Sequence, residues 1–440
     1  MTTLEERRPQ GTRCANGAAQ ALERALRPFL RGDLPVRLRA WDGSEAGPTD
    51  APVVALTTPR ALTRLLWSPG ELGAAQAYVT GEIEVEGDVD AALRHAWAVT
   101  EERGLTGARP GPAALARATG TAVRLGAVGR RPAAPASQAR VRGRLHSPGR
   151  DRSVISHHYD LSNDFYAAIL DEAMAYSSAY WTSADPAYTL EEAQRDKVSL
   201  VCRKLGLGPG SRLLDVGCGW GSLSLHAAEH FGAQVTGATI SKEQKAFIDD
   251  RIAARGLADR VEIRLQDYRE LAPPGSDGTF DAVASLEMGE HVGQANYPTY
   301  VEVLRRAVKP GGRVLVQQMS RGLREGDRHP GGGPFIESFI APDMHMRPVG
   351  ETVALIEAGG LEVRDVHAMR EHYVRTVEHW LERFERHQAH LRTLVPEEVL
   401  RVWRLYLVGG AMAFRDGRMG VDQILAVRPG PHDLPAVRDW

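Results

Sequence analysis

Hydrophobic and polar positions alternate in two different ways along the chain, and the change divides it. Between residues 16 and 100 the runs PVRLRAW, APVVALTT and GEIEVEG alternate as half-buried strands do, while AAQALERALRPFL, TPRALTRLLW and DVDAALRHAWAV follow the helical period. These elements predict a small α+β domain. From about residue 211, apolar runs and amphipathic stretches take turns. SRLLDVGC, AQVTGATI, VEIRLQDY, FDAVASLE and GGRVLVQQM read as strands; SLSLHAAEHF, KEQKAFIDDRIAARG and YPTYVEVLRRAV read as helices. Strands separated by such helices build a mostly parallel, doubly wound α/β sheet covered on both faces, with ligands beyond the C-terminal strand ends. Beyond about residue 340 the pattern is mostly helical, in RPVGETVALIEAGG, TVEHWLERFERHQAHL and PEEVLRVWRLYLVGGAMAF.

Composition changes this picture at one place. Residues 101–152 hold eleven arginines, no lysine and three acids, in a chain of 440 residues whose formal net charge is −2. Rich in Ala, Pro and Gly, this stretch reads as a linker without a core, or as a polybasic strip attracted to anionic lipid. The expected organisation is an accessory α+β domain over 1–100, a basic linker over 101–150 and the α/β domain over 151–440. The near-neutral total excludes a global basic field for nucleic acid. Cys14, Cys202 and Cys218 are too dispersed for a disulfide framework or a Cys-rich metal site. No apolar run reaches 18 residues and the first residues lack a signal-peptide core, so a cytoplasmic, metal-free protein is expected.

The strongest local signal is LLDVGCGWG, where a strand ends at Asp215 and a turn with Gly217, Gly219 and Gly221 leads into a helix. Glycines let the backbone approach a ligand closely, and the helix N-terminus supplies donors. The G-x-G-x-G spacing lacks the G-x-x-G of the dinucleotide fingerprint and resembles the first motif of S-adenosylmethionine-dependent methyltransferases. The second strand ends in Thr239, Ser241 and Gln244, neutral hydrogen-bonding groups where a ribose-binding acid is common; Ser241 also reads as a helix cap. After the third strand, Asp267 can accept from an adenine amino group and Tyr268 can pack on the ring.

With HHYDLSNDFYAAILDEAMAYSSAYW, FDAVASLEMGEHVGQANYPTY and KPGGRVLVQQMS, these motifs resemble the cyclopropane-fatty-acyl-phospholipid synthase family over about residues 150–390. SPGELGAAQAYVTGEIEVEGDVDAAL is similar to the accessory domain of the longer bacterial synthases. The resemblance implies S-adenosylmethionine as methyl donor, with Tyr176 and Ser177 beside it, and the cis double bond of a phospholipid acyl chain as acceptor. It also implies a bicarbonate ion held by a Cys, a Glu, a His, a Tyr and a backbone position. Carried over singly, the Glu of E-H-V-G falls on Glu290 and the Tyr on Tyr373. Ser178 stands where the family has Cys, Gln317 where it has His, and the backbone position is Met319.

On that basis Glu290 positions the anion or base, the Tyr373 ring faces the cation, and Ser178 and Gln317 line the site. Glutamine cannot exchange a proton near neutral pH as histidine can. Slower proton removal lets a hydride shift intervene, and the resemblance then implies a methylene-branched chain of the 10-methylene type. The branched-chain-forming relatives of actinobacteria look like this case. The alternatives are a ring-forming synthase, a small-molecule methyltransferase, and an inactive lipid- or cofactor-binding protein. The partner expected is acyl chains at an anionic membrane surface, met peripherally; a homodimer stays open. His157, His158 and Tyr159 precede the family's Tyr-Asp-Leu-Ser-Asn motif, Tyr159 being expected at the cofactor cleft. His291 reads as orienting a loop, and DRHPGGGPF as a surface turn.

Overall fold

The computed structural model describes residues 17–105, 111–127, 129–139, 143, 145–147, 149–150, 161–276, 278–322, 329–438 and 440. Cys14, His157, His158 and Tyr159 lie outside them. The chain forms two compact units, Met1–Ser137 and Gln138–Trp440.

The first unit carries a four-stranded sheet in the order β2-β1-β3-β4, from β1 (Arg37–Arg39), β2 (Glu45–Ala46), β3 (Val53–Leu56) and β4 (Ile83–Val85). Helices α1 (Ala18–Leu30), α2 (Arg60–Trp67), α3 (Glu71–Val79) and α4 (Val89–Glu102) accompany it, as the α+β pattern predicts. The linker reading needs correction. Pro112–Arg124 is a helix, α5, and its Ala122 is buried with Ala19, Leu22, Leu38 and Leu62 in the core of the unit. Proline at the first turn and repeated alanine favour helix, and alanine packs closely despite its small apolar area. Low bulk was therefore not lack of a core.

The second unit is built on seven strands in the order β10-β11-β9-β8-β5-β6-β7. Strands β5 (Arg212–Val216), β6 (Gln234–Thr239), β7 (Val261–Leu265), β8 (Phe280–Leu286) and β9 (Val308–Arg321) pair in parallel. The helical pattern beyond residue 340 conceals the other two, β10 (Glu362–Ala368) and β11 (Met419–Val427). β11 inserts antiparallel between β9 and β10. Alternation within β9 and β5 distributes side chains to two faces. Leu213, Ala282, Ala284 and Leu315 join one core, and Leu214, Val283, Val314 and Val316 the other. Each fully buried Leu contributes about 1.5–3 kcal/mol.

Helices α6 (Asn163–Ile169), α7 (Leu190–Leu205), α8 (Ser222–Phe231), α9 (Lys242–Arg255), α10 (Tyr297–Ala307), α11 (Pro334–Phe339), α12 (Val349–Ala358), α13 (Arg370–Arg386), α14 (Gln388–Leu394) and α15 (Glu397–Arg415) belong to this unit. α7 opens with a reciprocal capping box between Thr189 and Glu192 and closes at Gly206, φ +68°. Aromatic residues are only 6% of the sequence. Many gather in a third core, where Phe165, Tyr166, Trp220, Tyr373, Trp380, Trp403 and Phe414 pack together.

Candidate active site

The C-terminal ends of β5, β6, β7 and β8 open into one cavity of about 1310 Å³, its mouth included. Asp215 lies in β5, next to its final residue Val216, and accepts from Ser224 Oγ at 2.7 Å; burial raises its pKa to about 6. The turn then runs through Gly217, Gly219 and Gly221, all at positive φ. A Cβ at Gly217 would press on Met288 at 2.9 Å, and one at Gly221 on Ile248 at 3.0 Å. At Gly219 a Cβ would meet nothing within 4 Å. Gly219 lines the cavity, so its bare backbone forms an open cradle there.

Thr239 Oγ1 donates to Gln244 Oε1 at 2.8 Å and accepts from Ser241 N at 3.1 Å. Ser241 caps α9 through Gln244 N at 3.2 Å. Thr239 and Gln244 line the cavity; Ser241 and Gly221 are not among its lining residues and support the turns behind it. Beyond β7, Asp267 and Tyr268 form another wall. Arg269 holds the Asp267 carboxylate at 2.9 Å and lies 4.8 Å from the Tyr268 ring centroid. Tyr176 and Ser177 close the near side. Lys197, fully buried, donates to Ser177 Oγ at 2.7 Å. Burial lowers the pKa of this ammonium, while Glu287, Asp171 and Asp215 pull the other way.

This lining fits S-adenosylmethionine. The open glycine backbone admits the cofactor's amino-acid end, the Thr239–Gln244 pair offers neutral partners for ribose, and Asp267 with Tyr268 suits adenine. Tyr176 and Trp220 line the cavity and continue into the aromatic core, with ring centroids from 4.7 to 6.3 Å apart among Tyr166, Tyr176, Trp220 and Trp403.

The four residues expected to be catalytic are not among the cavity's lining residues, and three of them converge on a residue that the sequence reading passed over. Glu287, immediately after β8, borders the cavity. Its Oε1 accepts from Ser178 N at 2.8 Å and Gln317 Nε2 at 2.8 Å, and its Oε2 accepts from Tyr373 OH at 2.7 Å. Burial raises the pKa of this carboxyl and the three donors oppose the rise. Gln317 Oε1 is fixed in turn by Gln423 Nε2 at 3.0 Å. The Tyr373 ring stacks on Phe414 with centroids 4.4 Å apart. The Glu287 backbone is left-handed, φ +52°, and its N–H donates to Gln317 O at 2.6 Å. A non-glycine residue held there stores on the order of 1–2 kcal/mol, as functional positions often do.

Glu290 sits apart from that convergence. It is fully buried, its Oε1 accepts from Met319 N, and its Oε2 has no hydrogen-bond partner among the described residues. Burial first, and the Glu287 charge second, raise its pKa to about 8, so it is mostly a neutral acid at pH 7. His291 lines the cavity and burial lowers its pKa to about 4, leaving it uncharged. The signal for Glu287 was its place at the C-terminal end of a parallel strand, where doubly wound sheets hold their ligands. The neighbouring E-H-V-G motif pointed three residues further on. Among the described residues, no group of three or more His, Cys, Asp or Glu side chains could hold a metal ion, and no helix is long and apolar enough to cross a membrane.

Sheet order, glycine turn and strand-end cavity together define a class I S-adenosylmethionine-dependent methyltransferase. The fold is close to that of mycolic acid cyclopropane synthase CmaA1 in complex with SAH and CTAB. The TM-score is 0.58 at 30% identity, over 63% of this chain and 98% of that one. The chain belongs to the mycolic acid cyclopropane synthetase family, whose model matches residues 146–424. It is 39% identical to a probable fatty acid methyltransferase of Pseudomonas putida, over 94% of this chain and 98% of that one. With the tuberculostearic acid methyltransferase UfaA1 of Mycobacterium tuberculosis it shares 35% identity, over 96% and 94%. It is thus an S-adenosylmethionine-dependent C-methyltransferase of a lipid-modifying family.

Proposed function

We propose that the enzyme methylates the cis double bond of unsaturated acyl chains in membrane phospholipids and yields a methylene-branched chain. The observation that carries this reading is the cavity lining itself, which Tyr176, Trp220 and Glu287 share. Bound S-adenosylmethionine supplies an electrophilic methyl group. Asp215, Gly217, Gly219, Thr239, Gln244, Asp267 and Tyr268 would hold it, and Tyr176, Ser177 and Trp220 would exclude water from the reacting end. Addition of a methyl cation to an alkene leaves a carbocation on the acyl chain. Aromatic faces stabilise such charge without trapping it as a nucleophile would. Gln317 offers no base near pH 7 where histidine would, which gives a hydride shift time to precede proton loss.

The surface of the first unit supports access to membrane lipid. Arg117, Arg124, Arg130 and Arg131 are exposed, and so are Leu115 and Val123 on α5. Arg150 is otherwise committed, forming a two-pronged pair with Asp343. The exposed arginines with two apolar side chains suit an anionic membrane surface, at about 1 kcal/mol per arginine near the lipid.

The test uses purified enzyme, S-adenosylmethionine and vesicles of unsaturated phospholipid at low and high salt, with proton NMR of the extracted lipid. Vinylic methylene signals are expected, with turnover on anionic vesicles falling steeply as salt rises. Upfield ring-methylene signals without vinylic ones would establish the cyclopropane product instead. Methylation of soluble acceptors but not of vesicles would sink the lipid reading, and salt-independent turnover would remove the arginines from it.

A further inference from the structure

In the family this chain resembles, a bicarbonate ion sits among a Cys, a Glu, a His, a Tyr and a backbone amide. The same five positions here leave no seat for it. Ser178 N, Gln317 Nε2 and Tyr373 OH all donate to the Glu287 carboxylate, at 2.8, 2.8 and 2.7 Å. The Met319 amide donates to Glu290, and the Ser178 hydroxyl donates to Ala179 O at 3.1 Å. A second anion would find these donors engaged and would lie against a carboxylate of its own sign. Residues present and ion implied do not fit.

The geometry points to the Glu287 carboxylate as a tethered replacement for that ion: it fills the anion seat and accepts the proton released from the added methyl group. The second half rests on the acyl-chain reading given above. Three features support it. Glu287 borders the cavity, whereas Glu290, Ser178, Gln317 and Tyr373 do not line it. Oε2 takes one donor against two at Oε1, which leaves it the oxygen with free acceptor capacity. The backbone adopts φ +52° at this residue, a conformation that a side chain disfavours and that brings the carboxylate to the donors. In the proton step a C–H bond of the new methyl breaks. Its electron pair becomes the carbon–carbon bond that quenches the cation, and the proton goes to Glu287. The carboxylate becomes a neutral acid, and no oxidant or further reactant is required. A tethered base held by three hydrogen bonds is also less mobile than a free ion, consistent with delayed proton loss.

The experiment has a binding arm and a turnover arm. Binding of 13C-labelled bicarbonate is followed by NMR in wild type, Glu287→Gln and Glu287→Gly. Glycine suits the left-handed backbone and empties the seat, and the glutamine variant keeps the shape if the glycine variant is unstable. Wild type and Glu287→Gln should not bind millimolar bicarbonate, and Glu287→Gly should. Binding by wild type, or none by a folded Glu287→Gly, overturns the assignment of the seat.

For turnover, wild-type lipid methylation should change less than twofold between carbonate-free and bicarbonate-supplemented buffer. Glu287→Gln should lose about 100-fold or more, and Glu287→Gly should regain at least tenfold with bicarbonate. A tenfold drop of wild-type activity in carbonate-free buffer, or an undiminished Glu287→Gln, removes Glu287 as proton acceptor. If wild type methylates no lipid in either buffer, the acyl-chain reading falls and the proton-acceptor role falls with it. The binding arm decides the seat independently.

Discussion

The two halves of the cavity are built on different principles. On the cofactor side, each wall is a short stretch at the end of one strand: Asp215 to Gly219 after β5, Thr239 to Gln244 after β6, Gln266 to Tyr268 after β7. On the reacting side, one carboxylate is gripped by residues 109, 30 and 86 positions away along the chain. A local loop conserves its shape through its own turns and caps. A convergent cluster keeps its shape only while the sheet and α13 hold several distant elements in register. The first kind of site depends on local turns; the second depends on residues such as Ser178 and Gln317 that lie far apart in the chain.

The largest effect expected from this contrast comes from Gly219→Val. A branched side chain at φ +55° is strained and would project into the cradle. S-adenosylmethionine affinity should fall about 100-fold, roughly 2.7 kcal/mol, by calorimetric titration, while circular dichroism keeps the wild-type fold. Undiminished affinity in the folded variant would break the assignment of the turn.

A smaller effect, confined to the reacting half, is expected from Gln423→Leu. This removes the donor that fixes Gln317 Oε1 and frees the Gln317 amide to turn away from Glu287. Turnover should drop about tenfold, the worth of one buried hydrogen bond to a network, with cofactor affinity unchanged. Equal losses in both quantities would mean that the two halves are not separable.

A third effect is on stability rather than on binding or turnover. The Glu290 carboxyl is raised from 4.5 to about 8 in the folded chain. Its contribution to stability is therefore fully present below pH 4.5 and is lost as pH rises through about 8. In that window the unfolded chain is ionised at this residue and the folded chain is not. Glu290→Gln lacks the loss, which amounts to at most about 1.4 kcal/mol per pH unit. Melting temperatures at pH 5.5 and 8.5 should show the variant gaining on wild type at the higher pH. A pH-independent difference would remove the neutral acid from this side of the cavity.

The same contrast explains what the sequence disclosed. Strands β5 to β9 and the helices between them were legible because each buries an alternating or helical face within a dozen residues. β10 and β11 were not. GLEVRDVHA is too polar to stand out, since its strand sits at the sheet edge, and MGVDQILAV follows some fifty mostly helical residues. The glycine turn and the strand-end residues around it were readable one segment at a time. Glu287 was not, because its meaning lies in Ser178, Gln317 and Tyr373 arriving at one carboxylate, which no local pattern records. The motif that drew attention, E-H-V-G, marks Glu290, a buried acid that accepts from the Met319 amide of β9 and takes no part in the Glu287 cluster.

Gln423 stands directly across from Gln317 in the β9–β11 ladder, far along the chain from the glycine turn. During synthesis, domains fold broadly from the N-terminus onward. The glycine turn and its strands can therefore assemble while β11 is still being made. The amide that presents a donor to Glu287 takes its final orientation only when β11 threads between β9 and β10. The cofactor cradle is thus able to form before the Glu287 cluster is ordered, because that cluster waits on a strand made much later in the chain.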